Sequence, residues 1–195
     1  MKTADVITAR QVFHLLENET LWELVERVHR RLANEAIEHA IVGGVAVCLH
    51  GYRRNTVDLD LLVEPDDTTA VRSALAADGI VWHAAEKEFR SAAGVPIQCV
   101  LAGETEGPGQ AARFPSPSDP KFITTIEGLP VLSLASLIQS KIACGLGNLR
   151  RTHRDFADVV ELVAVHDLDG SFARFLHKSV RKEFRALVRQ AKGGK

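Results

Sequence analysis

The stretch that decides the fold is GGVAVCLHGYRRNTVDLDLLV, residues 43–63. It is strongly apolar, yet it holds a glycine pair, two adjacent arginines and two aspartates separated by one leucine. The apolar run after the glycines predicts a short helix that ends near Gly51, and the β-branched and aliphatic residues of 56–63 predict a strand. Because side chains alternate along a strand, Asp58 and Asp60 are expected on the same face.

Two neighbouring carboxylates on an apolar strand repel one another and resist removal from water, so a cation must compensate them. Mg²⁺ does this directly, because it prefers carboxylate oxygens together with the phosphates of a substrate. The alternative is a strand end that emerges into solvent with Arg53 or Arg54 as its salt-bridge partner.

The glycine pair, Gly43 and Gly44, stands just before the predicted helix. In that position backbone N–H groups can approach a phosphate, because no side chain intervenes. A tight turn or close helix packing is the alternative. The glycine turn, the helix and the aspartate strand together form a more specific pattern than any one of them.

Hydrophobic periodicity and turn residues predict the other elements. Helices are expected over 20–39, with Thr20 and Glu23 as a capping box, and over 65–79. The later elements are extended segments at 80–83, 87–92 and 95–101, an irregular loop over 103–120 with four of the seven prolines, two strands around a Glu-Gly turn in 121–134, and helices over 133–146, 153–166 and to the end. Mixed strands and helices followed by a helical tail indicate an α/β (α+β) fold with a helical C-terminal portion.

The bulk composition is that of a globular protein, with 195 residues, 46% hydrophobic and 25% charged residues and a net charge of −1. Binding to nucleic acid must therefore depend on a local basic patch. No apolar run approaches the roughly 18 residues that span a bilayer, and the N-terminus lacks a signal-peptide core, so we expect a cytoplasmic protein without membrane association.

Several other classes of site are excluded by missing motifs. Cys48, Cys99 and Cys144 form neither a CxxC pair nor a disulfide framework and are expected to be reduced. The histidines lack HExxH spacing, and the sequence contains neither GxxxxGK[ST] nor GxSxG.

The block IVGGVAVCLHGYRRNTVDLDLLV, residues 41–63, resembles the signature of the nucleotidyltransferase superfamily, especially its branch of AbiEii-type abortive-infection toxins and related small bacterial nucleotidyltransferases. The matching residues are Gly43 and Gly44 in the glycine turn, Arg54 and Thr56 in the approach, and Asp58 and Asp60 in the strand. A second block, LPVLSLASLIQSKIACGLGNLRRTHRDFADVVEL, is similar to the segment that follows the core in that branch. The resemblance covers about residues 40–165.

The resemblance implies a small mixed sheet with flanking helices. Residues 1–132 would form the nucleotidyltransferase core with its N-terminal helices, and residues 133–195 a helical portion packed on it. It also implies transfer of a nucleoside monophosphate from an NTP to a hydroxyl of RNA, a protein or a small molecule. Asp58 and Asp60 would hold Mg²⁺, and the nucleotide would contact Gly43, Gly44, Arg54 and Thr56.

Two cations of the second block are further candidates for binding the nucleotide. Lys141 lies at the edge of the apolar stripe of its helix, and the resemblance implies contact with the triphosphate; a lysine that lays its stem over the core is the alternative. Arg154 could reach a phosphate from the first turn of the next helix. There Thr152 is the expected cap, and Asp155 is expected to complement the helix dipole as a structural residue.

The family usually supplies a third carboxylate from a later strand, and the matching position in AAGVPIQCVLAG is Gln98. Glutamine can orient a water or a hydroxyl group, but it carries no charge and is a poor general base. Glu86, Glu88 or Glu104 could substitute spatially. Two hypotheses remain open: an enzyme with Gln98 in its catalytic site, and a catalytically degenerate protein that binds a nucleotide or a protein partner such as an antitoxin.

Basic residues recur at helical spacing near the C-terminus, opposite the apolar Val180, Phe184 and Leu187. They are Lys178, Arg181, Lys182, Arg185, Arg189 and Lys192. This face predicts either a solvated helix surface or contacts to the phosphates of an RNA acceptor. An aminoglycoside-type acceptor is a further alternative, and the loop at 103–120 is either an acceptor-binding or lid segment or a disordered connector.

Overall fold

A computed structural model of the chain describes residues 8–193. The helices are α1 (Ala9–Leu15), α2 (Glu19–Asn34), α3 (Gly43–Leu49), α4 (Thr68–Ala77), α5 (Leu134–Gly147), α6 (Leu149–Val165) and α7 (Arg181–Gly193). The strands are β1 (His39–Val42), β2 (Leu59–Val63), β3 (Val81–His83), β4 (Glu88–Arg90), β5 (Pro96–Leu101), β6 (Ile123–Ile126) and β7 (Leu129–Leu132). Short 3₁₀ turns lie at Pro65–Asp67, Gly170–Phe175 and Lys178–Val180.

The strands form one mixed sheet in the order β3-β4-β5-β2-β1-β7-β6. Strand β2 runs parallel to β5 and β1 runs parallel to β7, while the other neighbours are antiparallel. Leu61 and Leu62 point to opposite faces of β2, and both are at most 1% exposed. Both faces of the sheet are therefore covered, which confirms the predicted mixed sheet with flanking helices.

Helix α2 contains the predicted apolar stripe, because Leu21, Val25, Val28 and Leu32 are all buried. The helix ends at Asn34 rather than near residue 39, since the residues from His39 onward pair as strand β1. The predicted capping box of Thr20 and Glu23 is wrong. The residue at the cap is Asn18, and its side chain makes no cap hydrogen bond, because its amide donates to the Thr56 carbonyl at 2.5 Å.

The segment from β1 to β2 brings the glycine pair and the aspartates together. Helix α3 follows β1 without a linker, and β1 pairs antiparallel with β2 so that Val42 lies opposite Asp60. Strand β2 begins at Leu59 and is shorter than predicted. Asp58 precedes it and accepts a hydrogen bond from the Thr56 hydroxyl at 2.9 Å, a local side-chain bond outside the strand ladder.

Two predictions about the second half have different outcomes. The hairpin of β6 and β7 is present, and its turn residues Glu127 and Gly128 both have positive φ (51° and 80°), as a two-residue hairpin turn requires. The predicted start of the next helix is wrong, because α6 begins at Leu149 under an Asn148 cap. Thr152 lies inside α6, and its hydroxyl donates to the Gly145 carbonyl at 2.7 Å.

The loop at 103–120 packs closely along α5. The Cys144 thiol donates to the Glu106 carbonyl at 2.7 Å, and the Gln139 amide donates to the Glu106 carboxylate at 3.0 Å. A Cβ at Gly107 would overlap the carbonyl group of Ala143, so only glycine allows this approach. The loop is thus a packed part of the fold and not a disordered connector.

Between Leu134 and Gly193 the structure describes helices and 3₁₀ turns and no strand, and buried side chains of α5, α6 and α7 belong to the same core cluster as those of the sheet. Division at residue 132 therefore stays a prediction, and the ends of its two ranges, residues 1–7 and 194–195, lie outside the described residues. All three cysteines are free. No helix within residues 8–193 is long and apolar enough to cross a membrane.

Candidate active site

The two predicted metal-binding aspartates lie near the middle of the sheet. Asp60 is on β2, between Val42 on β1 and Gln98 on β5. Asp58 lies two residues earlier, just before β2 begins. Both aspartates are half-buried, and Gln98 lies opposite Asp60 on the neighbouring strand.

The glycine pair has a steric reason. Gly43 has φ +64°, and a Cβ there would overlap Asp60 Oδ2 and lie 2.7 Å from Asp60 Cγ. A Cβ at Gly44 would overlap the Thr56 hydroxyl and lie 3.1 Å from the Arg54 guanidinium. The pair therefore lets the aspartate segment approach the start of α3. This is the close packing that the sequence offered as the alternative to a phosphate contact.

The Asp60 carboxylate is in an electrostatically unfavourable place. Burial, and then repulsion by Asp58, raise its pKa to about 6, against the attraction of Lys141, Arg151 and Arg154. The hydrogen bonds within residues 8–193 include none to this carboxylate. A carboxylate with such surroundings fits the predicted need for an added cation.

The residues fit Mg²⁺ held together with phosphate groups. Asp58 and Asp60 offer hard oxygen ligands. Because Gly43 has no side chain, the Asp60 carboxylate has room beside the start of α3. Within the described part of the chain, no cluster of three or more His, Cys, Asp or Glu side chains could hold an ion. The remaining ligands would have to come from substrate and water, which is the usual arrangement for Mg²⁺ at nucleotide sites.

Behind the aspartates lies a chain of buried ion pairs. Lys141, 4% exposed, is 3.1 Å from Asp155 and 2.8 Å from Asp158. Asp158 also lies 2.7 Å from Arg54, and Asp155 lies 3.3 Å from Arg151. The predicted nucleotide ligands Arg54 and Lys141 thus both have carboxylate partners.

Sequence reasoning missed Asp158 and Arg151 and gave Asp155 a different structural role. Asp155 is not in the first turn of α6 but in its interior, with no exposed surface. Asp155 and Asp158 stand three residues apart, next to the apolar stripe of Val159 and Leu162. Acids at such positions are rarely buried unless paired, and that signal was available in the sequence.

Arg154 differs from the other cations of the site. Its side chain is exposed, and no ion pair within residues 8–193 involves it. It is close enough to Asp60 to lower the pKa of that carboxyl, after Lys141 and Arg151 in size of effect. Of the cations predicted to contact nucleotide, Arg154 is therefore the one that is free to meet a phosphate from solvent.

Gln98 is exposed, and its amide nitrogen lies 3.5 Å from Glu88 Oε2. Glu88 is 8% exposed and is held by Arg90 at 2.7 Å. Glu86 is exposed in the turn before β4, and Glu104 lines a cavity with Cys99, whose side chain points away from that of Gln98. Among the three acids considered as substitutes, Glu88 is the one beside Gln98.

The sheet and the placement of the Asp-x-Asp pair define the nucleotidyltransferase fold. Solved structures that share it include three nucleotidyltransferases or nucleotidyltransferase-like proteins. A candidate nucleotidyltransferase from Thermotoga maritima is 16% identical, with 71% of this chain and 93% of that chain covered and a TM-score of 0.52. ANT(2″)-Ia in complex with adenylyl-2″-tobramycin is 13% identical, with 88% and 98% covered and a TM-score of 0.56.

The third similar structure is an antigenic nucleotidyltransferase-like protein from Paracoccidioides brasiliensis, 19% identical, with 89% and 88% covered and a TM-score of 0.53. At these identities the likeness establishes the fold. The sequence matches no protein-family model and no curated protein. The predicted AbiEii-type branch therefore stays a prediction.

Proposed function

We propose that the protein is a Mg²⁺-dependent nucleotidyltransferase that moves a nucleoside monophosphate from an NTP to a hydroxyl acceptor. The observation that carries this proposal is the Asp58–Asp60 pair on a nucleotidyltransferase fold, with Asp60 free of hydrogen bonds inside residues 8–193 and seated against Gly43. In the reaction an acceptor oxygen forms a bond to the α-phosphorus, the bond to pyrophosphate breaks so that pyrophosphate leaves, and the hydroxyl proton passes to water.

Asp58 and Asp60 would hold the metal, and bound Mg²⁺ would neutralise phosphate charge as it develops. Thr56 orients Asp58, because the Thr56 hydroxyl donates a hydrogen bond of 2.9 Å to the Asp58 carboxylate. Gly43 keeps the space of the Asp60 carboxylate open. Because the positions of Asp58 and Asp60 are set by these neighbours, the ligands are ordered before any substrate arrives.

The cations take different parts in this proposal. Arg154, which is exposed and unpaired within residues 8–193, would contact the triphosphate. Lys141 and Arg54 would act mainly as fixed positive charges, because Asp155 and Asp158 hold them. Backbone N–H groups at Gly43 and Gly44 would contact phosphate as the resemblance implies.

Gln98 would orient the acceptor hydroxyl from the strand next to Asp60. An amide cannot take up the hydroxyl proton, so Gln98 would have a positioning part only. The acceptor is a hydroxyl of RNA, a protein or a small molecule. The structure of ANT(2″)-Ia contains an adenylylated small molecule, and a toxin–antitoxin role with a protein partner belongs to the same proposal.

The second candidate function is a binding module that holds a nucleotide or a protein partner without turnover. Gln98 in place of a carboxylate favours it. The two functions share nucleotide binding at Asp58 and Asp60 and differ in the release of pyrophosphate.

The test is calorimetric titration of each of the four NTPs, with Mg²⁺, into the wild type and Asp58→Ala/Asp60→Ala. Asp66→Ala/Asp67→Ala is a matched control, because neither side chain makes a cap hydrogen bond at α4. Saturable binding that only the first double variant loses supports the site. Pyrophosphate release then separates the enzyme from the binding module. Absence of binding by folded wild type contradicts the enzyme and the nucleotide-binding module, and leaves a module that binds a protein partner.

A further inference from the structure

A basic groove of about 540 Å³ lies between the loop at 103–120, the first half of α5 and the 3₁₀ turns before α7. Its chemistry-bearing lining is Arg113, Arg174, His177 and Arg181, with the aromatic rings of Phe122 and Phe175. Among the described residues no Asp or Glu lines it, and neither does any residue of the candidate active site.

The arginines of the groove form no ion pair within residues 8–193, although Arg174 is near enough to Asp169 to help lower the pKa of that carboxyl, after the hydrogen bonds from Ser171. Arg113 donates to the Gly103 carbonyl at 2.6 Å, and Arg181 donates to the Leu176 carbonyl at 2.9 Å. These bonds fix the direction of each guanidinium without cancelling its charge. The ion pairs within residues 8–193 include none to Arg113, Arg174 or Arg181.

The carboxylate behind the groove adds little opposing charge. Glu106 accepts from Gln139, which lines the groove, and it is 1% exposed. Burial raises the pKa of Glu106 to about 8. Near neutral pH most of this carboxyl is therefore protonated, and the groove stays positive.

An exposed aromatic ring stands among these cations. Phe175 is 58% exposed, and the Arg174 guanidinium lies 4.6 Å from its ring centre. Arginine binds phosphate through several N–H groups at once, and an accessible aromatic ring beside it is a surface on which a base can stack. A simple inorganic anion would use the arginines but not the ring.

The positive surface continues beyond the groove along α7. Lys182 and Arg185 are exposed on α7 after Arg181, and Lys178 is exposed in the 3₁₀ turn before it. Residues 181–193 contain five basic side chains and one acidic side chain, while the whole chain has a net charge of −1. Basic side chains are thus concentrated in the segment that borders the groove, over a length that suits an extended ligand and not a single phosphate.

We propose that this groove binds single-stranded nucleic acid, with phosphates on Arg113, Arg174 and Arg181 and a base on Phe175. The claim concerns binding alone and does not depend on nucleotidyl transfer. It assigns the C-terminal basic face, together with the loop at 103–120, to one binding surface.

Fluorescence anisotropy tests the proposal with a labelled oligouridylate of about 12 nucleotides and its oligodeoxythymidylate counterpart, over a range of salt concentrations. Arg113→Gln/Arg174→Gln should weaken binding about tenfold or more and lower the slope of the salt dependence by about one for each phosphate that the protein no longer binds. Phe175→Ala should weaken binding about fivefold to a hundredfold with the salt dependence unchanged. Arg27→Gln/Arg30→Gln, on the exposed face of α2, is the matched control and should stay within about twofold of wild type.

Binding of either strand supports the proposal, and a preference between them identifies the ligand as RNA or DNA. Three results would overturn it: no binding by the folded wild type, equal losses in the control variant, or competition by polyglutamate as strong as competition by unlabelled oligonucleotide. The last result would mark a general anion surface or an acidic protein partner. Thermal unfolding of each variant checks that a loss of binding is not a loss of folding.

Discussion

The Asp60 carboxylate occupies the position that the Cβ of any residue other than glycine would take at position 43. Gly43→Ala meets two penalties, backbone strain at φ +64° and overlap with Asp60, so it should lower the free energy of unfolding by more than about 2 kcal/mol. It should also abolish binding of Mg²⁺-NTP, because the displaced carboxylate is a proposed metal ligand. Urea unfolding and calorimetric titration measure the two effects.

Gly79→Ala separates the two penalties. Gly79 has φ +72°, but a Cβ there would meet nothing within 4 Å, so only the strain of about 1 kcal/mol is expected and nucleotide binding should be unchanged. If Gly43→Ala and Gly79→Ala lower the free energy of unfolding equally and Gly43→Ala still binds nucleotide, the overlap with Asp60 does not affect function.

The family resemblance was sufficient to place Gly43, Gly44, Asp58 and Asp60 in one site, because all four residues lie within residues 43–63, the stretch that carries the resemblance. It could not place Arg54 and Lys141 against Asp158, since residues 54, 141 and 158 meet only when α5 and α6 close on the sheet. Contacts of that kind depend on tertiary packing, which periodicity does not encode.

At the scale of elements, Asp158 joins α6 to α5 and to the segment before β2. It accepts a hydrogen bond from the Arg54 guanidinium at 3.1 Å and forms an ion pair with Lys141 at 2.8 Å, and it is 1% exposed. Asp158→Asn keeps the shape but leaves Arg54 without a carboxylate partner and Lys141 with Asp155 alone, so a loss of about 3–5 kcal/mol in the free energy of unfolding is expected. Urea unfolding measures it.

Asp167→Asn is the matched control, because the Asp167 side chain is 95% exposed and pairs with Lys192 at 3.3 Å. Its removal should change the free energy of unfolding by no more than about 0.5 kcal/mol. Equal small effects in both variants would mean that water reaches Asp158 and that the buried ion pairs do not hold the helices in place.

The contact between the loop at 103–120 and α5 should make stability depend on pH through Glu106. Burial raises the pKa of this carboxyl from 4.5 to about 8, so between these values it is protonated in the folded chain and ionised in the unfolded chain. The protonated Glu106 carboxyl contributes its full stabilisation below the pKa of the unfolded chain, 4.5. This contribution is lost as the pH rises through the pKa of the folded chain, about 8, by up to about 1.4 kcal/mol per pH unit.

Glu106→Gln should remove this dependence, because the amide stays neutral and can still accept from Gln139. Denaturant unfolding of both proteins between about pH 5 and pH 9 should show the variant gaining stability relative to wild type as the pH rises. Glu104→Gln, at an exposed position of the same loop, should show no such gain. Parallel pH profiles for wild type and Glu106→Gln would contradict the assignment.

Element types were predictable where their residues repeat with a clear period, as in α2, where a buried residue recurs every three or four positions. Element ends were not, because tertiary contacts set them. Asn18 donates to the Thr56 carbonyl instead of capping α2 through its side chain, and Thr152 of α6 donates to the Gly145 carbonyl of α5. The loop at 103–120 packs against α5 because Gly107 allows a close approach to that helix. The prolines of the loop do not predict this contact.

At the scale of the whole molecule, the question is whether the chain unfolds as one unit or as a core and a separate helical portion. Ile142 on α5, Leu162 on α6 and Phe184 on α7 are completely buried in the same cluster as Leu59 and Leu62 of β2. A shared core predicts that neither portion keeps its packing when the other is lost.

Two probes report on different portions of the intact protein. The two tryptophans, Trp22 and Trp82, both precede residue 133, whereas α5, α6 and α7 contribute much of the helical circular dichroism. Tryptophan fluorescence and far-UV circular dichroism should therefore give the same denaturant midpoint. Leu162→Ala, which opens a cavity beneath α6, should lower both midpoints together, for a cost of about 2–5 kcal/mol. A separate transition by circular dichroism, moved by Leu162→Ala while the fluorescence midpoint stays fixed, would show instead that the helices after residue 132 form their own folding unit.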